Sequence, residues 1–230
     1  MKTSQTGTTQ FYFSTGIYHS NLLPRSTTKT RKEAFLNTLE NDIFLISQSD
    51  RKGAEWSEQH YLNGYTSYSS LDRLDLMTET FANLRKKIDS HVESYLASLH
   101  YECSVKNLVM TQCWVNVMFE NTVHTSHIHP HSIISGTMYV RVPSGASPIK
   151  FEDPRMGLFM NSPMIKVTAP NSSQRFLTVE PEPGDVVLFE SWLRHEVPMM
   201  PVPKKDHRKA GKKSTESQPR ISISFNYGKK

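Results

Sequence analysis

From about Arg31 to Ser47 the apolar residues Phe35, Leu39, Ile43 and Ile46 recur at helical spacing, which predicts an amphipathic helix. A clearer stripe runs from about Leu74 to Leu99. There Met77, Phe81, Leu84, Ile88, Val92, Tyr95 and Leu99 recur at threes and fours, with charges on the opposite face. Residues 48–70 between them are polar and turn-rich and read as a loop. Ahead of both, residues 1–10 are polar, and Phe11 to Tyr18 is aromatic-rich and reads as an opening strand.

After residue 105 the period changes to two. Strands are predicted at Leu108–Phe119, Ser135–Val142, Ile149–Phe151, Met164–Val167, Arg175–Val179, Asp185–Phe189 and Arg220–Tyr227, punctuated by Gly, Pro, Asn and Asp. That many short strands at such spacing imply a sandwich, jelly roll or barrel. The expected organisation is one mainly β domain over residues 1–230. A layer of two packing helices within 1–104 lies on one side of an all-β core in 105–230.

Composition adds little to this picture. The chain has 230 residues, ordinary for a globular protein, and a net charge of +5. Much of the excess sits in residues 201–219, which are polar, basic and without apolar periodicity. This segment reads as a solvated insertion, or as a basic arm able to touch an acidic protein or nucleic acid weakly. It holds no interleaved aromatics for stacking on bases. The two cysteines, Cys103 and Cys113, form no disulfide framework and read as small core residues in a reducing compartment. No apolar run approaches the roughly 18 residues of a membrane span. The N-terminal stretch lacks a signal-peptide core, so the expected location is cytoplasmic with no membrane contact.

The chemistry concentrates in His124-Thr-Ser-His127-Ile-His129-Pro-His131, four of the ten histidines within eight residues. On an extended backbone His127 and His129 project to one side, roughly 6.5 Å apart, so two imidazoles can share one metal ion. Neutral imidazole suits Fe, Zn, Cu and Ni alike, and the cluster by itself does not name the metal. A third ligand must come from elsewhere, and His195, after the turn Pro183-Gly184-Asp185 and its strand, is the candidate. His124 and His131 stay open as substitutes. The last strand alternates strictly. Arg220, Ser222, Ser224 and Asn226 share one face, and Ile221, Ile223 and Phe225 the other. On an exposed strand that polar face meets water; facing a pocket, the Arg220 guanidinium beside the Ser222 hydroxyl would grip a carboxylate.

Together these parts resemble the Fe(II)/2-oxoglutarate-dependent oxygenases, in particular a group found in bacteria and phages. The matching motifs are His-x-His-Pro-x-Ser-x-x-Ser-Gly-x-x-Tyr-Val from His127 to Val140 and Phe-x-Asp-Pro-Arg from Phe151 to Arg155. Pro-Gly-Asp…Phe-x-Ser-Trp-Leu-x-His-x-Val follows from Pro183 to Val197, and Arg-Ile-Ser-Ile-Ser-Phe-Asn from Arg220 to Asn226. The Trp114-Val-Asn116-Val strand and the Leu62-Asn-Gly-Tyr-Thr-Ser loop are also similar.

The resemblance implies a double-stranded β-helix, or jelly roll, and an iron held by His127, His129 and His195, which are then the catalytic residues. The cosubstrates would be 2-oxoglutarate, paired with Arg220 and hydrogen-bonded to Ser222, and O2. The products would be succinate, CO2 and a hydroxylated C–H bond on a protein side chain, amino acid or metabolite. Asn116 and Tyr139 either contact the cosubstrate or belong to the core, and Trp192 reads as packing. Two features depart from the family pattern. His129 stands where a carboxylate is expected, and His195 and Arg220 lie 25 positions apart, further than is usual. Two rival readings are a zinc or nickel jelly-roll module without redox chemistry, and a basic accessory protein of nucleic acid.

Overall fold

The computed structural model describes residues 7–10, 12–202 and 218–230. A large sheet and a small one lie face to face. The large sheet is built from β1 (Ile17–Asn21), β2 (Gly64–Thr66), β3 (Leu108–Met118), β5 (Ile134–Arg141), β8 (Asp185–Glu190) and β10 (Arg220–Lys229), in the spatial order β1-β8-β5-β10-β3-β2. The small sheet takes β4 (His124–His127), β6 (Ile149–Glu152), β7 (Phe176–Val179) and β9 (His195–Val197), in the order β4-β9-β6-β7. All pairings are antiparallel. The fold is the expected jelly roll, with two open sheets rather than a closed barrel.

The alternation of β10 decides which face does what. Ile221, Ile223 and Phe225 bury against the helices, in one apolar cluster with Leu39 and Ile43 of α1 (Lys29–Ser49) and Phe81, Leu84, Ile88 and Val92 of α3 (Glu79–Ser98). Arg220, Ser222 and Ser224 turn the other way, into the space between the sheets. Strand β3 repeats the pattern, with Val115 and Val117 toward the helices and Trp114, Asn116 and Met118 toward the interior. Each fully buried Leu, Ile or Phe contributes roughly 2 kcal/mol. Docking of this apolar face, more than intrinsic helix propensity, therefore holds α3 in place. A second cluster of Tyr139, Ile149, Phe151, Val187 and Phe189 ties the two sheets together.

Several expectations need correction. A third helix, α2 (Arg51–His60), occupies part of the stretch read as a loop, and β2 another part. The buried face of α2 is made of Gly53 and Ser57, so hydrophobic periodicity had nothing to detect. Asp50 both ends α1 and starts α2. Its backbone N–H donates to the Ile46 carbonyl (2.8 Å), and its carboxylate accepts from the Gly53 N–H (3.0 Å). A Cβ at Gly53 would fall 2.0 Å from that carboxylate, so glycine is required there. The long helix begins later than its stripe suggests. Leu74–Leu76 forms a 3-10 turn, Thr78 caps α3, and Met77 is 54% exposed.

The opening strand is Ile17–Asn21 rather than Phe11–Tyr18, because its partner, β8, pairs only with that register; Phe11 itself lies outside the described residues. Met164–Val167 forms no strand, and both of those residues are almost fully exposed. The strands that carry His127 and His195, β4 and β9, are too short for a period-two signal. Most of the basic segment 201–219 lies outside the described residues. Among the described residues no helix is long and apolar enough to cross a membrane. Cys113 is buried as expected, and Cys103 is partly so.

Candidate metal and diacid site

His127 at the end of β4 is the cross-strand partner of His195 at the start of β9, which brings their rings to 4.3 Å between centroids. His129 lies beyond the strand, yet its backbone N–H donates to the Ser191 carbonyl (2.9 Å), which pins the chain beside the turn after β8. Ring nitrogens of His127, His129 and His195 thus all lie within 4.8 Å of one another, a spacing one metal ion can fill. His129 Nε2 and His195 Nε2 are 3.3 Å apart, within hydrogen-bond reach.

The backs of the rings are held as well. The Nδ1–H of His127 donates to the Thr125 carbonyl (2.7 Å) and that of His195 to the Leu193 carbonyl (2.9 Å). A carbonyl only accepts, so each ring carries its proton on Nδ1 and presents the Nε2 lone pair inward. Burial depresses the basicity of all three. His195 falls to about 2 and His129 to about 4, both chiefly through desolvation with His127 adding to it, and His127 is lowered by desolvation too. At neutral pH the cluster therefore offers uncharged imidazoles, the form a metal needs. His124 stacks on His127 at 4.6 Å and 10°, and burial lowers it to about 3, but it does not join the converging group. His131 is exposed, with a left-handed backbone (φ 67), and is not among the converging rings. Of the four clustered histidines the fold brings together the pair first singled out.

Deeper between the sheets, Arg220 is 1% exposed, and no carboxylate among the described residues pairs with it. Its nearest polar partners are weak. Nη1 lies 3.4 Å from both the Ser222 hydroxyl and the Met118 sulfur, and the guanidinium sits 5.0 Å from the Tyr139 ring centre. Its Nε has no partner, nor do the buried Tyr139 hydroxyl and Asn116 Oδ1. A buried cation with unmet donors is costly unless an anion joins it. These residues, on β10, β3 and β5 of the large sheet, form a cradle suited to a carboxylate, in the cavity that the histidines of the small sheet also line. Arg220, Ser222, Asn116 and Tyr139 all line the one cavity that His127, His129 and His195 close.

Four further residues contribute. Tyr61 packs edge-on against His124 (5.6 Å), and its buried hydroxyl also lacks a partner. Burial raises that hydroxyl's pKa, and the Arg220 charge partly opposes the rise. Trp114 and Phe189 flank the ring cluster, at 5.9 Å from His129 and 4.4 Å from His195. Asn226, expected only to share the polar face of the last strand, has its Nδ2 3.4 Å from His129 Nδ1. No motif marks Tyr61; its place before the Leu62-Asn-Gly-Tyr loop was the only signal. Trp192, read as packing, is 47% exposed and takes no part.

Comparison with known proteins agrees with this geometry. A family described as "Putative 2OG-Fe(II) oxygenase" matches residues 112–226, half of the chain. No curated protein sequence matches. Among solved structures, a Pseudomonas putida prolyl-4-hydroxylase superposes with a TM-score of 0.56 at 12% identity, covering 94% of each chain. HygX from Streptomyces hygroscopicus, solved with nickel, 2-oxoglutarate and hygromycin B bound, gives 0.57 at 12% identity, covering 94% of this chain and 84% of its own. The α-ketoglutarate-dependent epimerase SnoN of nogalamycin biosynthesis gives 0.57 at 15%, covering 94% and 79%. At these identities the structures establish the fold alone. Through the family match across the histidine and Arg-x-Ser segments, this chain belongs to the 2OG-Fe(II) oxygenase family, whose cofactors are Fe(II), 2-oxoglutarate and O2.

Proposed function

We propose that the protein is a 2-oxoglutarate-dependent hydroxylase acting on an unactivated C–H bond. The balanced reaction is R–H + 2-oxoglutarate + O2 → R–OH + succinate + CO2. His127, His129 and His195 hold the Fe(II), and Arg220 with Ser222 holds the carboxylate of 2-oxoglutarate remote from the metal. The bound iron supplies the oxidising chemistry. The chain itself supplies position and dryness. Carbonyls of Thr125 and Leu193 fix the ring orientations. Trp114, Phe189 and Phe151 wall water away from the rings. Tyr139 and Asn116 offer their unpaired polar atoms to the diacid.

The observation that carries this reading is the buried Arg220, paired with no carboxylate among the described residues, beside a convergent three-histidine group. A structural zinc or nickel site has no need of such a guanidinium. The test is anaerobic Fe(II) titration with and without 2-oxoglutarate, followed by admission of O2 and assay of succinate. A visible charge-transfer band that needs both partners, and succinate formed only with Fe(II), are expected. Metal binding that is indifferent to 2-oxoglutarate, with no succinate formed, would instead favour the non-redox module. Survival of nucleic-acid binding in a His127→Ala/His195→Ala double variant, with steep salt dependence, would favour the accessory protein.

A further inference from the structure

Outside the diacid cavity, a second cavity of about 490 Å³ opens to the surface, and its inner wall is His124, His127 and His129. This volume falls within the range of small-molecule sites. Its remaining walls come from α2 and the segment leading into β2, from β3 and from the β4 region. Trp56, Tyr61, Tyr68 and Trp114 supply aromatic surface, while Thr66, Gln112 and Asn226 supply hydrogen-bonding groups. Tyr68 meets Trp114 edge to face at 5.1 Å, and Trp56 stacks on His60 at 4.5 Å. Leu62, Val123 and Ile128 surround the mouth, each exposed. Among the described residues, the lining contains no Lys, Arg, Asp or Glu, although the chain carries a net charge of +5.

The geometry points to the class of primary substrate: a molecule that presents an uncharged, ring-bearing apolar group to the histidines. This assignment rests on the reading of those histidines as the metal ligands. An anion entering here finds no cationic wall residue, and its charge would be desolvated without a partner. A cation likewise finds no carboxylate in the wall, and its charge would also be desolvated without a partner. A flat neutral group, by contrast, buries its faces on the aromatic walls and pairs its polar edge with Gln112, Thr66 or Asn226. Free amino-acid zwitterions and nucleotides are therefore poor substrates.

One ring with three charges tests this. Indole, tryptamine and indole-3-acetate are titrated calorimetrically into the full chain, once metal-free and once anaerobically loaded with Fe(II) and 2-oxoglutarate. Indole is expected to bind about tenfold or more tighter than either charged analogue. Trp56→Ala and Tyr68→Ala should each weaken indole several-fold, whereas Leu158→Ala, on an exposed 3-10 turn outside the cavity, should not. N-acetyl-tryptophanamide separates two sources of the group. Tighter binding than indole assigns the ring to a peptide, and weaker binding assigns it to a free small molecule. A charged analogue binding as well as indole, no saturable indole binding, or wall variants without effect would overturn the assignment. Neutral-ring selectivity without succinate formation would sink the oxygenase reading and leave the cavity's preference standing; succinate formation without ring selectivity would do the reverse.

Discussion

Asn226 braces His129 from behind. Its amide nitrogen lies 3.4 Å from His129 Nδ1 and donates to Gln112 Oε1 at 2.7 Å, while its carbonyl accepts from the Ser135 hydroxyl at 2.7 Å. Gln112 in turn donates to the Asp72 carboxylate at 3.3 Å. A carboxylate only accepts, so Asp72 sets which way the Gln112 amide faces, and Gln112 sets Asn226. The one ligand-position histidine that lacks a backbone carbonyl behind it is thus oriented by a side-chain relay.

Removing that brace should cost metal affinity rather than fold. Asn226→Leu frees the His129 ring to rotate and is expected to lower Fe(II) or Zn(II) affinity several-fold. That is less than the roughly 10- to 100-fold seen for partners that accept the second ring N–H, because the Asn226 amide is a donor toward Nδ1. Competition with a chelator of known affinity measures this, and circular dichroism checks the fold. Unchanged affinity would mean that His129 is held by packing alone.

Arg220 should stabilise the protein only in the presence of a diacid. Arg220→Met replaces a buried unpaired cation with an apolar side chain, so the ligand-free protein is expected to melt no lower, and up to a few degrees higher. Thermal protection by 2-oxoglutarate, expected in the native chain, should vanish in the variant. A large drop in the ligand-free melting temperature would show that Arg220 is structural.

The histidine cluster should make the metal-free protein labile to acid. Folding lowers the pKa of His129 to about 4 and of His195 to about 2, against roughly 6.5 in the unfolded chain. As pH falls below about 6.5 the unfolded state takes up protons that the folded state refuses, so stability declines. The decline continues through the folded value of each histidine, near pH 4 for His129 and lower for His195. Urea midpoints of chelator-treated protein at pH 7.5, 6 and 5 should fall in that order, and more gently in His129→Gln. A midpoint flat across that range would contradict the burial of these rings.

Asp75 anchors the helical side. Its fully buried carboxylate pairs with Arg73 (3.0 Å) and Arg85 (3.3 Å), both about a third exposed. Asp75→Ala leaves two guanidinium groups without their acid. Loss of about 2–3 kcal/mol is expected, below the range for a fully buried pair because water still reaches both arginines. Denaturant unfolding measures it, and a loss below about 0.5 kcal/mol would show that the ion pairs are idle.

Much of this was legible in the residue pattern. The stripe from Phe81 to Val92 named the buried face of α3, and the alternation of β10 separated Ile221, Ile223 and Phe225 from Arg220, Ser222 and Ser224. His127 and His129 stood out by spacing, and His195 by motif. Helix α2 did not, because Gly53 and Ser57 fill its buried face with no apolar signal. A side chain's period reports which face it shares, and nothing more.

Tertiary structure decided the rest. Only the folded sheets place His195 opposite His127, leave His131 exposed at the surface and bury Arg220 with no acid among the described residues to pair with it. Tyr61 and Asn226 gain their roles from neighbours tens of residues distant. The residue types of the candidate ligands and the strand faces could be read from the sequence, because both are local properties of composition and backbone period. Which imidazoles converge, and which charge is left unpaired, depends on strand register and burial, and those exist only once distant segments have packed together.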